Sequence, residues 1–251
     1  MNQLNPKDYR NSIQYIDEWS CGAVYPCSIA ETIQHGDIFT NNRSFLFWHY
    51  CGFAFIYGDY DESFLNEIYE MFLGNNSVTS RRFILFVSSE EVKHFFLEKD
   101  NIILEHRYFF DYQKGSSANI PILPVGYKLC EIDKESLYKI NGIITPSFSW
   151  DNSTEFLKKG KGYCIIDEGT VAAWAFTVAI SEEEIDIGIE TNGEYRHLGL
   201  GTIVAEKMIQ YSIHQHKRPI WACHSNNMAS QRLAEKLGFV KISECYTIKK
   251  C

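Results

Sequence analysis

Apolar and polar positions follow two different periods along this chain, and the points where the period changes mark out its elements. In the C-terminal half, Ile185-Asp186-Ile187-Gly188-Ile189-Glu190 alternates strictly and predicts a strand over residues 184–191. Directly after it, Ile203, Val204, Met208, Ile209 and Ile213 recur at helical spacing and predict a helix over 202–216. Upstream, the pattern predicts a strand over 127–132, a helix over 134–140, a helical segment over 153–159, and strands over 163–167 and 171–180. The last two are joined by Glu168-Gly169, a pair of hairpin-turn composition. Downstream, 219–223 reads as a buried strand, the helix opened by Asn227 ends at Gly238, and a last strand covers 242–248.

The N-terminal half is richer in aromatic residues. Ser44-Phe45-Leu46-Phe47-Trp48-His49-Tyr50 and Phe53-Ala54-Phe55-Ile56-Tyr57 predict neighbouring strands, followed by a helix over 62–73, a strand over 83–87, a helix over 90–99 and a strand over 102–112. These aromatics read as core. Periodicity stops at Lys114-Gly115-Ser116-Ser117-Ala118-Asn119, ahead of Pro121 and Pro124, so the chain divides into an α/β unit over 1–118 and a second unit over 119–251. The predicted class is α/β, with an α+β mixed sheet in the second half.

The strand-to-helix junction Tyr195-Arg196-His197-Leu198-Gly199-Leu200-Gly201-Thr202 carries the first chemistry. Gly199 and Gly201 remove side chains that would keep a ligand from the free N–H groups of the first helical turn, and the dipole end there favours an anion such as a pyrophosphate. The first half has no second copy of this glycine loop, which confines the anion site to residues 119–251.

Arg196, Gly199 and Gly201 resemble the Arg/Gln-x-x-G-x-G/A acetyl-CoA loop of the GNAT superfamily of N-acetyltransferases. Asn227-Met228-Ala229-Ser230 followed by Lys236-Leu237-Gly238-Phe239 resembles its second signature, in the same order and about 25 residues on. More narrowly, Ser147-Phe148-Ser149-Trp150, Gly160-Lys161-Gly162-Tyr163, Ile187-Gly188-Ile189-Glu190-Thr191 and Leu233-Ala234-Glu235-Lys236-Leu237-Gly238-Phe239 look like the GNAT family that includes the zwittermicin A resistance acetyltransferases. The resemblance implies a GNAT fold in the second half and acetyl-CoA as co-substrate. Its implied binding residues are Arg196, His197, Leu198, Gly199, Leu200, Gly201 and Thr202, with Ile189 and Thr191 at the strand end and Asn227 and Ser230 along the same arm. It further implies transfer to an amine of a small acceptor, an antibiotic among the candidates, near Phe148 and Trp150. These two aromatics also fit as core anchors of their segment.

Acetylating an alkylamine requires moving a proton. With a pKa of about 10.4, keeping such an amine neutral at pH 7 costs roughly 4–5 kcal/mol, so a carboxylate or an ordered water is expected as base. Period-two geometry sets Glu184, Asp186 and Glu190 on one strand face; Asp186 lies nearest the acidic position of many GNAT strands, Glu184 and Glu190 are rivals, and all three also fit a merely solvated face. Where many GNAT enzymes carry a Tyr that protonates the CoA sulfur, this chain has Ala234; Tyr246 or water are the substitutes. That departure keeps a second class open, a CoA-binding regulatory module without chemistry.

Composition narrows the partners. With 24 Lys and Arg against 32 Asp and Glu, the net charge of −8 argues against nucleic-acid binding. The eight cysteines have no metal-ligand spacing and read as buried free thiols, so no metal is expected. With neither a signal peptide nor a membrane-length apolar run, the expected compartment is the cytoplasm.

Overall fold

The computed structural model describes residues 1–75, 77, 79–113 and 119–251; the linker read at 114–119 lies, except for Asn119, outside the described residues. The chain forms two compact units. The first holds 1–109, 222–226 and 242–251, and the second holds 110–221 and 227–241.

From the N-terminus the elements are β1 (Asn2–Gln3), a 3-10 helix (Pro6–Tyr15), α1 (Val24–Ala30), β2 (Gly36–Thr40), β3 (Ser44–His49), β4 (Phe53–Gly58) and α2 (Glu62–Ile68), which runs into a π turn (Tyr69–Leu73). They continue with β5 (Ile84–Val87), α3 (Glu90–Leu97) and β6 (Ile102–Tyr112). Next come β7 (Lys128–Glu131), α4 (Lys134–Lys139), a 3-10 turn (Pro146–Phe148), α5 (Ser153–Lys159), β8 (Gly162–Asp167), β9 (Thr170–Ile180) and β10 (Glu184–Thr191). After a 3-10 turn (Gly193–Tyr195) the chain ends with α6 (Leu200–His214), β11 (Arg218–His224), α7 (Met228–Lys236) and β12 (Phe239–Lys250). The class is mixed α/β, as the periodicities predict. The elements before β3 carry no strong period and were not legible in the sequence.

In the first unit β1, β2, β3 and β4 pair antiparallel in sequence order, β4 pairs parallel with β5, and β5 pairs antiparallel with the end of β12. Every residue of β3 is buried, because alternate side chains enter two cores. Leu46 and Trp48 pack with Phe64, Ile68 and Phe72 of α2 and its π turn, whereas Phe45 and Phe47 pack with Tyr9, Ile29 and Ile38. This double cover explains a continuous apolar run where a half-exposed strand would alternate.

In the second unit β7, β8, β9 and β10 form an antiparallel meander, and β10 pairs parallel with β11. Glu168 (φ 45°) and Gly169 (φ 87°) both take the left-handed conformation that a tight two-residue hairpin requires. Helix α6 packs on β8, β9 and β10 and buries Leu200, Ile203, Val204, Met208 and Ile209, each side chain contributing roughly 1.5–3 kcal/mol. It starts two residues before the expected Thr202, so Gly201 lies inside its first turn. Among the described residues no helix is long and apolar enough to cross a membrane.

Candidate functional site

Strand β10 and helix α6 meet in a loop whose backbone is set by two left-handed residues. Asn192 donates its N–H to Ala172 O (2.9 Å), its side chain accepts from Glu194 N (3.3 Å), and Arg196 is extended (φ −67°, ψ 158°). His197 (φ 66°) and Gly199 (φ 76°) then turn the chain into the helix. A Cβ on Gly199 would also come within 2.8 Å of Pro121, so both conformation and space demand glycine there.

The start of α6 differs from those of most other helices. Asp61, Ser89, Asp133, Asn152 and Asn227 cap α2, α3, α4, α5 and α7 with their side chains. Helix α6 has Gly199 at its N-cap, no side-chain cap and no acidic residue in its first turn. The N–H groups of Thr202 and Ile203 reach Gly199 O (3.0 and 3.4 Å), while those of Leu198, Gly199, Leu200 and Gly201 have no acceptor among the described residues. Arg196, His197 and Leu198 are exposed beside them. Four free donors at the positive end of a fifteen-residue helix form a cradle for an anion.

Gly201 has a different role from the one its sequence position suggests. A Cβ there would lie 3.0 Å from Thr191 Oγ1, 3.6 Å from Ile189 Cδ1 and 3.9 Å from Leu233 Cδ2. The missing side chain lets α6 approach the end of β10 rather than clearing space for a ligand. On β10 itself, the ladder to β11 stops at Asp186↔Ile220, and beyond it Ile187–Thr191 pair with β9 alone in the described ladders.

The three strand carboxylates have three different surroundings. The bulge lies on β9, where Val178 is the extra residue between Ala179↔Asp186 and Thr177↔Ile187, so β10 keeps its alternation. Glu184 (7 % exposed) and Asp186 (5 % exposed) are buried rather than on a solvated face. Burial pushes the Glu184 carboxyl up, opposed by the Arg218 guanidinium bonded to it. Glu190 Oε2 accepts the N–H groups of Ile143 (2.8 Å) and Ile144 (2.7 Å).

That contact pins residues 143–144, just ahead of the Phe148 and Trp150 segment read as lying near the acceptor. Trp174 Nε1 donates to Ile144 O (2.7 Å), and a Cβ on Gly142 would strike both Glu190 and Trp174. Trp150 is 2 % exposed; its Nε1 donates to Thr177 O (2.8 Å) and its ring meets Phe156 edge-on. Trp150 is therefore a buried anchor, while Phe148 is half-buried and Ile143 is 83 % exposed. Trp174, Gly142 and the two backbone N–H groups were not singled out by the sequence reading. The Asn141-Gly142 pair, of turn composition, is the one local signal that could have drawn attention there.

On α7, Asn227 Oδ1 accepts Ser230 N–H (3.1 Å) and Ser230 Oγ accepts from Trp221 Nε1 (2.9 Å), so both side chains hold the start of the helix. Ala234 is fully buried. Tyr246 belongs to the first unit, opposite Val87, with its ring stacked on His106 and 4.3 Å from Lys93 Nζ.

A family model described as GNAT acetyltransferase matches residues 14–248 of the chain. An uncharacterized N-acetyltransferase, YdfB of Bacillus subtilis (strain 168), is 27% identical over 255 residues, covering 99% of this chain and 97% of its own. Among solved structures, a GCN5-related N-acetyltransferase-like protein from Streptococcus suis 89/1591 superposes with a TM-score of 0.75 at 20% identity, covering 98% of this chain and 99% of its own. A tandem GNAT protein from the clavulanic acid biosynthesis pathway superposes with a TM-score of 0.63 at 11% identity, over 99% and 97% of the two chains.

Proposed function

Because the chain belongs to the GNAT acetyltransferase family and is an acetyltransferase, we propose that residues 119–251 bind acetyl-CoA at the Arg196 to Thr202 loop and direct its acetyl group to an amine of a small molecule. The observation that carries this reading is the uncapped start of α6. Its free N–H groups at Leu198, Gly199, Leu200 and Gly201 suit the pyrophosphate, with Arg196 and His197 exposed alongside. Thr202, whose N–H is engaged by Gly199 O, acts by closing the turn. The one-sided stretch of β10, with Ile189 and Thr191, offers backbone groups to the pantetheine amides as an added strand would. Asn227 and Ser230 serve this arm by fixing α7.

When bound, acetyl-CoA supplies an activated thioester carbonyl, attacked directly by the amine in a ternary complex. Asp186 is the carboxylate assigned to take the amine proton, through an ordered water: it stands at the last paired position before β10 leaves β11 and opposite the β9 bulge. Glu184 is committed to Arg218 and Glu190 to the Ile143–Ile144 backbone, so both act as positioning groups. Phe148 lies on the acceptor side of that pinned segment, with Trp150 as its anchor. Since Ala234 offers no proton, water protonates the departing thiolate. A thiol pKa near 8.5 makes this an undemanding step. The finer likeness to zwittermicin A resistance acetyltransferases directs the choice of acceptor toward amine-bearing antibiotics. Calorimetry with acetyl-CoA, followed by turnover with a panel of small amines, tests the reading; absence of acetyl-CoA binding overturns it.

A further inference from the structure

None of the eight cysteines is in a disulfide, yet four of them stand as two thiol pairs, one in each unit. In the second unit Cys130 and Cys164 face each other across the β7–β8 ladder with their sulfurs 3.5 Å apart. Cys164 is fully buried, and burial together with the neighbouring Cys130 pushes its thiol up to about 12. In the first unit Cys21, in the turn before α1, and Cys245 of β12 line one cleft, and the Cys21 Sγ lies 2.9 Å from Ser243 Oγ. The Cys245 thiol, aided by Ser243 and opposed by burial, holds the Cys21 thiol down to about 7. The neighbouring Cys21 and burial push the Cys245 thiol up.

Each pair has one half-buried member, Cys21 and Cys130, and the first pair lines a cleft that admits a small polar reactant. Cys21 is half-buried, and it lines with Cys245, Ser20, Tyr57, Phe86 and Ser88 a cleft of about 40 Å³. A site of roughly 10–15 Å³ already holds a water, so hydrogen peroxide fits. The Ser20 and Tyr57 hydroxyls, 2.5 Å apart, give the cleft a polar wall.

We propose that Cys21 and Cys245 form a peroxide-responsive dithiol in the first unit, with Cys21 the attacking sulfur and Cys245 the resolving one. Cys21, having lost its proton, attacks one peroxide oxygen; the O–O bond breaks, hydroxide leaves and takes up that proton as water, and Cys21 becomes a sulfenic acid. The Cys245 sulfur then displaces the sulfenic hydroxyl, its own proton leaving with it as a second water, and the S–S bond forms. Two thiols are oxidised by two electrons in total and one peroxide is reduced to two waters. The new bond joins the segment before α1 to β12, 224 positions along the chain from Cys21 to Cys245 (245 − 21).

The test uses the full, reduced chain. Hydrogen peroxide is added at neutral pH and peptides are mapped by mass spectrometry; in a parallel arm without peroxide, limiting iodoacetamide ranks the thiols. A Cys21–Cys245 cross-linked peptide, two hydrogens lighter than its parts, accumulates before any Cys130–Cys164 link. Cys21 alkylates on the order of a hundredfold faster than Cys164, as its larger thiolate fraction outweighs its lower intrinsic nucleophilicity. Cys245→Ser stops at a Cys21 sulfenic acid trapped by dimedone, and Cys21→Ser leaves Cys245 reduced. A Cys130–Cys164 link that forms first, or Cys21 alkylation no faster than that of Cys164, overturns the proposal, and both readouts come from the unmutated chain.

Discussion

Each unit contains a strand that pairs parallel with a neighbour and leads into a helix, β5 into α3 in the first and β10 into α6 in the second, yet the two junctions are finished in opposite ways. At α3 the Ser89 side chain accepts Val92 N–H and Glu90 and Glu91 occupy the first turn, so the helix satisfies its own positive end. At α6 a left-handed Gly199 replaces the capping side chain, and no carboxylate is present in the first turn. The same local architecture thus leaves one helix start satisfied by its own side chains and the other with free N–H groups. The difference rests on a few residues of side-chain chemistry rather than on the path of the chain.

The largest effect is expected at the chemistry proposed for the second junction. Asp186→Asn should lower kcat by about 10²–10⁴-fold at neutral pH and recover as pH approaches the acceptor's own pKa, about 10.4 for an alkylamine, while calorimetric acetyl-CoA affinity is kept. A parent-like pH–rate profile would remove Asp186 from the mechanism. Glu190→Gln, which disturbs the Ile143–Ile144 contact, should raise the acceptor KM more than it lowers kcat.

Making the second junction resemble an ordinary helix start comes next. Gly199→Val places a β-branched residue at φ 76° and against Pro121, a strain on the order of 1–3 kcal/mol, and should weaken acetyl-CoA binding roughly tenfold or more. Unchanged affinity by calorimetry would mean that the loop does not hold the co-substrate. The converse change, Ser89→Ala at the first junction, should cost about 1 kcal/mol of stability in chemical denaturation and leave acetyl-CoA affinity as it was. The smallest effect is expected for Tyr246→Phe, whose ring contacts with His106 and Lys93 survive loss of the hydroxyl; initial rates should remain within about twofold of the parent.

Legibility in the sequence followed the range of the interactions involved. The 3.6 and 2.0 periods located β10, α6 and the β8–β9 hairpin, because each depends on residues within a few positions of one another. The uncapped start of α6 was legible for the same reason: Gly199 acts through its own φ. Gly201 was legible as necessary, but its reason was not, since Thr191 and Leu233 press on it from other elements.

By itself the sequence determined the mixed α/β class, most of the elements beyond residue 43, and the glycine-set turn from β10 into α6, all of which follow from local periodicity, turn conformations and missing side chains. Only the tertiary structure decided that Glu184 and Asp186 are buried, that Glu190 is bound to the Ile143–Ile144 backbone, and that residues 222–226 and 242–251 belong to the first unit. The physical reason is that burial and pairing are properties of what covers a strand. The same alternating pattern on β10 serves for a solvated face or a covered one until the packing of its neighbours is known.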